Sequence, residues 1–480
     1  MRTPVRSPQP PFESASFADT VQPTADDVPY HRHYGQVKHD EKGSSENVMP
    51  RRKKYEGMTT IFTQLLIPGR GHPIPDAAIT MHNDKIAWVG RQEDLPDEYN
   101  SPEWVDGIPV IMPGMWDVHC HYVGVDVAAN LTGAYTGFLP GVSALIGAVT
   151  VEDLRETLEM GYTSVRELQG YAGDLVPAIK TGRLISPNVY SSHTALSITG
   201  GHGDEQGAPL SQVKHAMYNT GAPIAVCDGV DECIRTVRQM VRRGATCIKV
   251  CSSGGVLSPN DDPEDRQFSD DELKAIVDEA ARSRRSVAAH AIGKAGILAA
   301  LRAGVRSIEH GMYLDDEVCD LMLEKGAYFV STQHIVRTLR KDPNLPPETR
   351  RKLLVIAERS KESYRTAVKR GVKIALGTDM LSSDRSSELS HGNNAHELLW
   401  AVEAGMTPLQ AIECATANGP EVLGAMAPLS GQLKVGYDAD FIGLEDNPLD
   451  DLTVLLKRHN ISYVWKGGKM LKGPPVTETI

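Results

Sequence analysis

Two histidines one residue apart, His119 and His121, stand directly behind the apolar run Pro113-Gly-Met-Trp-Asp-Val118. Side chains on a β-strand alternate between faces, so this pair points one way while Cys120 points the other. Imidazole is a frequent ligand of divalent metals, and two on one face at a strand end supply half a site. The pair alone decides little, because the chain holds 16 histidines. Four more polar residues occupy equivalent places. Lys249 lies at the end of a β-prone run in Ile-Lys-Val-Cys, His290 ends Ser-Val-Ala-Ala-His, His310 ends Ser-Ile-Glu-His, and Asp379 ends Ile-Ala-Leu-Gly-Thr-Asp. A core hydrogen bond or a solvated rim explains any one of them. Six in succession are better explained by a single metal site.

For six such residues to meet, the strands that carry them must end on one face. The segment 113–425 alternates short apolar runs with helical stretches, as repeated βα units require. The predicted strands are Trp116–His119, Thr163–Glu167, Asn188–Ser192, Cys247–Cys251, Ser286–His290, Ser307–His310, Ala327–Thr332 and Lys373–Thr378. Between them, a capping box at Ser269–Glu272 opens a helix to about Ser283, Lys294–Arg302 is a helix closed by Gly304, and Thr150–Met160 ends at Gly161. A doubly wound sheet shows the same alternation. In an open sheet, however, the six residues would be strung along an edge, whereas in a barrel all strand C-termini meet at one face. The pattern therefore selects an α/β fold of the (β/α)8 TIM-barrel type.

The flanks read differently. Residues 1–55 are rich in Pro, Ser, Asp and His without a sustained period, which predicts a poorly ordered tail. His31, His33, His39 and the basic run Arg51–Lys54 fall within it and read as solvated. Short β-prone runs occupy 58–112, at Thr59–Leu66, Ala77–Met81 and Lys85–Val89, and return over 428–475, at Gly431–Leu433, Ala439–Leu444 and Ile461–Lys469. These two stretches are expected to build one small β-sandwich domain from both ends of the chain. A net charge of −12 disfavours nucleic acid, whose phosphates require a basic face. No apolar run approaches the ~18 residues that span a bilayer, so no membrane partner is expected. No standard secretory signal is visible, which makes a cytoplasmic location the default. Seven cysteines without repeated spacing read as reduced thiols.

The ordered set His119, His121, Lys249, His290, His310 and Asp379 resembles the ligands of the amidohydrolase superfamily, and the resemblance runs over about 58–475. Leu66-Ile-Pro-Gly69, Met112 to His121, Leu196 to Asp204, Ile248 to Val256, Gly377-Thr-Asp379 and Ala415-Thr-Ala-Asn418 narrow it to the prolidase-like metal carboxypeptidase and amidase group. The resemblance implies two divalent metals, with zinc expected. His119, His121 and Asp379 would hold the more buried one, His290 and His310 the second, and Lys249 would bridge both as an Nζ-carboxylate. An ammonium cannot ligate a cation, whereas a carbamate offers two oxygens. An unmodified lysine has a pKa of ~10.4, so metal binding must offset its deprotonation. The implied chemistry is amide hydrolysis by a hydroxide bridging the metals, with Asp379 as general base and acid.

The implied substrates are small-molecule amides or peptides, namely N-acyl amino acids, dipeptides or an ochratoxin-like amide, and relatives of this kind are homo-oligomers. His202, in Gly200-Gly-His-Gly-Asp204, is expected at a substrate carboxylate or the scissile carbonyl, and Arg166 and Tyr190 are further substrate candidates. Cys247 and Cys251, two residues either side of Lys249, read as small fillers of the interior rather than soft ligands. One departure concerns the pocket. Several relatives carry a second histidine two residues after the strand-five ligand, where this chain has Ile292. The alternatives are a cyclic-amide hydrolase or a mononuclear deaminase of the same superfamily, and a non-catalytic scaffold. Lys249 argues against a deaminase, which needs no bridging lysine, and the intact ligand set argues against a scaffold.

Overall fold

The computed structural model describes residues 57–101, 103–124 and 140–473; the expected tail of 1–55 lies outside them. At the centre, short parallel strands buried on both faces alternate with helices. The strands that bound the barrel are Met115–Cys120, Tyr162–Glu167, Asn188–Ser191, Ile248–Cys251, Val287–Ala291, Ser307–His310, Tyr328–Val330 and Lys373–Ile374, and each falls on a predicted run. The first three pair with one another, as do the last five. Backbone bonds join the two groups on both sides. Thr246 N donates to Ser191 O (2.9 Å) between the third and fourth strands, and Val118 N to Leu376 O (2.9 Å) between the first and eighth. The fold is the α/β TIM barrel.

Strand alternation sets what faces the centre. Ile248, Val250, Val287, Ala289 and Ile308 pack outward under the helices, while Cys247, Ala288, Tyr328 and Ala375 fill the interior with Trp116 and Val118. Cys247 is thus the filler it was expected to be, and all seven cysteines are free and buried. Local signals hold as well. The helix Asp270–Arg282 starts at the Ser269/Glu272 capping box, Lys294–Ala303 stops at Gly304, and the predicted Thr150–Met160 helix is the second half of Pro140–Glu159.

Within 113–425, two strands are not foreseen by periodicity, Ala195–Ser197 and Ile224–Val226. The third barrel strand breaks at His193, a non-glycine residue with φ of 61°. Its upper part, Ala195–Ser197, then pairs with the fourth strand on one side and Ile224–Val226 on the other. The eighth strand is shorter than expected, pairing only at Lys373–Ile374 instead of reaching Thr378. Gly377 there presses on the first strand, where a Cβ would stand 2.7 Å from that of His119. Asp117 also takes the Thr378 N–H (3.2 Å) and hydroxyl (2.5 Å), so a side chain replaces the ladder.

The chain ends build one seven-stranded mixed sheet. Met58–Leu66 lies parallel to Trp104–Pro113, and Phe441–Leu444 joins the other side of Trp104–Pro113 in antiparallel register. Ile61, Ile79 and Ile86 share a core with Phe441 and Trp465, whose rings stack at 4.7 Å. Gly431–Leu433 is not a strand; it is an irregular segment held by a bond from Leu433 N to Pro68 O. No helix among the described residues is long and apolar enough to cross a membrane.

Candidate metal centre

Asp379 is the hub of the polar cluster at the C-terminal ends of the barrel strands. Its Oδ1 lies 2.9 Å from Nε2 of His121 and 3.5 Å from Nε2 of His119, and its Oδ2 lies 4.0 Å from Nδ1 of His310. Lys249 Nζ stands 3.4 Å from His119 Nε2. His290 meets His310 with ring centroids 4.6 Å apart. Donor atoms of His119, His121 and Asp379 all lie within 4.8 Å of one another, close enough to share a cation. Two of these positions depart from strand alternation. His310 and Asp379 have φ of 70° and 63°, a left-handed conformation that costs about 1–2 kcal/mol in an L-residue. That turn brings both side chains to the centre.

The donor set fits a divalent metal, because each imidazole has one nitrogen already engaged. His119 Nδ1–H donates to Glu309 Oε2 (2.9 Å), His121 Nδ1–H to Gln169 O (2.9 Å) and His290 Nε2–H to Gly254 O (3.1 Å); His310 Nδ1 meets Thr332 Oγ1 at 2.8 Å. Such partners fix ring orientation and tautomer, as outer groups do in metal sites. Burial holds His119, His290 and His310 well below the ordinary histidine pKa, favouring the neutral form that ligates. Burial raises the Asp379 carboxyl, but His119 and His121 beside it outweigh that effect and hold it below its ordinary value. Lys249 is 3% exposed, and its amine forms no ion pair among the described residues. Burial lowers its pKa, toward the free amine that can accept CO₂.

A narrow cleft opens over His290, His310 and Asp379. Its walls are apolar, with Val256, Ile292, Met312, Ile335 and Leu353 among them. His202 lines it, stacked on His290 at 4.2 Å. Its tautomer limits what it can do there. Ser258 has a single hydroxyl proton, which it gives to Asp261, so it accepts from His202 Nδ1–H at 2.8 Å. Burial pushes His202 down to about 4. A neutral ring bare at Nε2 suits a substrate N–H better than a carboxylate or carbonyl oxygen. The loop over His202 is tied down by Lys352, which donates to the carbonyls of Ser258 (2.8 Å) and Gly255 (3.3 Å). Gly255 must be glycine there, since a Cβ would fall 2.0 Å from His202 Nδ1.

The other two substrate candidates do not line this cleft. Arg166 has no exposed surface, and its guanidinium is spent on Val118 O, Ser307 and Glu309 inside the barrel. Tyr190 lies below the break at His193 and stacks on Trp116 (5.1 Å) in the interior core. Sequence reasoning missed Glu309 and Asp117. Both were visible as acids inside apolar strands, where a charge needs a partner. Asp117 accepts from His119 N, from Thr378 and from Asn394, and so ties strand one to strand eight.

Helix Gln333–Leu339 carries Ile335 to the pocket, and its first two N–H groups donate to the carboxyl of Glu397 (3.0 and 2.9 Å). Burial raises Glu397 to about 8 even so. Folding thus favours its protonated form. Its contribution is full below 4.5 and is lost as pH rises through about 8. The wild type is expected to lose more stability than Glu397→Gln from about pH 6 to about pH 9, read by urea midpoints. Equal losses in both would remove this role.

Comparison with known proteins gives three results. The amidohydrolase family pattern matches residues 110–471. Ochratoxinase of Aspergillus niger is 44% identical over 431 residues, covering 87% of this chain and 88% of that protein; its crystal structure aligns with a TM-score of 0.80 over 87% of this chain and 96% of that chain. A Xaa-Pro dipeptidase with methionine bound in its active site aligns at 28% identity and a TM-score of 0.74, and a prolidase complexed with N-methylphosphonate-L-proline at 31% and 0.76. Each covers 87% of this chain and all of its own.

Proposed function

Because the chain belongs to the amidohydrolase family, we propose that it is a binuclear metal hydrolase cleaving the amide bond of N-acyl amino acids or dipeptides. The observation that carries this reading is the meeting of His119, His121 and His310 around Asp379, with Lys249 against His119 and His290 against His310. Similarity to an ochratoxinase and to prolidases supports an amide or peptide bond as the target. His119, His121 and Asp379 would hold one metal, and His290 and His310 the other. When bound, the pair would supply an acidified water and a Lewis acid for the scissile carbonyl.

The chain's own residues do the rest. The buried amine of Lys249 would add to CO₂, forming an N–C bond and releasing one proton, and the resulting carbamate would supply carboxylate oxygens as ligands. Asp379, a carboxylate by its surroundings, accepts the proton of the attacking water and passes it to the leaving amine. His202 accepts from the substrate N–H through its bare Nε2. Deamination is disfavoured because it leaves the buried lysine without a task.

The apolar pocket suits a bulky apolar group on the substrate, and Ile292 sits in its wall, 2% exposed. Ile292→Ala is expected to lower kcat/KM about tenfold for an amide with an aromatic group there, and little for an alanyl counterpart. Equal losses for both would mean that Ile292 shapes the fold and not the selection. The function itself is tested by screening N-acyl amino acids and dipeptides for amine release, with and without added zinc. Metal-dependent release is expected, and no turnover of any member in the metal-loaded protein would overturn the reading.

A further inference from the structure

We propose that Arg166 and Glu309 form a buried positioning pair that sets the tautomer of His119 and thereby the metal affinity on that side of the centre. Only the number of metals involved rests on the binuclear reading above. Both side chains have no exposed surface. A buried ion pair must overcome a desolvation penalty of several kcal/mol per ion, and apolar residues of similar volume often serve stability as well. Stability alone is therefore a poor reason for this one.

The bonding assigns a different reason. Arg166 Nε donates to Val118 O (2.6 Å), Nη1 to Ser307 Oγ (3.0 Å) and Nη2 to Glu309 Oε1 (2.8 Å). The Ser307 hydroxyl also donates to Oε1. With two donors on Oε1, the second oxygen is left for His119 Nδ1 at 2.9 Å. A carboxylate only accepts, so the imidazole proton is held on Nδ1. The Nε2 lone pair then faces Asp379 and Lys249, at 3.5 and 3.4 Å. His121 and His290 lean on backbone carbonyls and His310 on a hydroxyl. Of the four, His119 alone is backed by a charged pair, which ties strands one, two and six together around it.

Glu309→Gln tests this with the shape unchanged. Arg166 and Ser307 present donors on one side, so the amide oxygen must take the place of Oε1. Its NH₂ then faces His119 Nδ1 and drives the ring proton to Nε2, where it blocks the ligand lone pair. In metal-free protein labelled with ¹⁵N-histidine, long-range ¹⁵N–¹H spectra are expected to show His119 changing from the Nδ1–H to the Nε2–H tautomer. In a cobalt(II) titration read by its visible bands, one equivalent is expected to weaken about 10- to 100-fold. The double variant Glu309→Gln/Arg166→Met is charge-balanced and frees the amide to turn its oxygen toward His119. It is expected to regain the Nδ1–H tautomer and much of the cobalt affinity, which loss of packing alone would not produce. An unchanged tautomer and affinity in Glu309→Gln, or no recovery in the double variant, overturns the proposal. A wild type that binds fewer than two cobalt ions defeats the binuclear reading instead, and the tautomer shift still decides the role of the pair.

Discussion

Lys249→Ala is expected to reduce kcat by about 10³-fold or more and to lower the metal content, and added acetate is expected to restore part of both. The expectation follows from where the amine sits. Its Nζ is buried 3.4 Å from His119 Nε2, with no carboxylate paired to it among the described residues. The carbamate is the proposed link between the two metal positions, and losing it forfeits the several kcal/mol that a correctly held pair contributes at the transition state; each tenfold in rate is about 1.4 kcal/mol. Truncation to alanine removes three methylenes and the amine, leaving a slot into which a small carboxylate fits. Lys249→Met fills that slot with apolar volume, so acetate is expected to do nothing there. Steady-state rates and elemental analysis of the same samples decide the matter. Wild-type turnover in Lys249→Ala, or equal rescue of both variants, would defeat the role.

Asp379→Asn is expected to lower kcat by about 10²- to 10⁴-fold, the range of a lost general acid–base group, while much of the metal stays bound. The side-chain oxygen that faces His121 at 2.9 Å and His119 at 3.5 Å survives as an amide carbonyl, so a ligand atom remains. What disappears is the proton acceptor. Nearby imidazoles hold the native carboxyl below its ordinary pKa against the pull of burial, so it is ionised wherever the reaction would run. Substantial turnover in the asparagine variant would refute proton transfer by Asp379. Loss of both metals from that variant would leave it a ligand only.

Much of the centre was legible in the sequence because burial is a local property. A polar residue that closes an apolar run, as Lys249, His290, His310 and Asp379 do, needs a reason whatever the rest of the chain does. Eight such runs separated by helices leave few topologies, and only a closed one gathers all six residues. The shared sheet of the two chain ends was legible in part, as short β-prone runs on either side of the barrel, but Trp104–Pro113, the strand that joins them, was not among those runs.

Partners across the barrel were not legible. Arg166 and Glu309 lie 143 positions apart, and no period in either strand announces that they face each other. Arg166 was legible as a polar residue within the second strand, but whether it met a pocket or an ion pair depended on strand six. The break at His193 leaves Tyr190 against Trp116 in the interior, and Ser258 with Asp261 makes His202 an acceptor at Nε2. The sequence by itself determined which residue types reach the strand ends, since that follows from alternation and the cost of burying charge. Tertiary structure decided tautomer, pairing and pocket shape, since those depend on atoms that chain distance separates and only barrel closure brings within 3 Å.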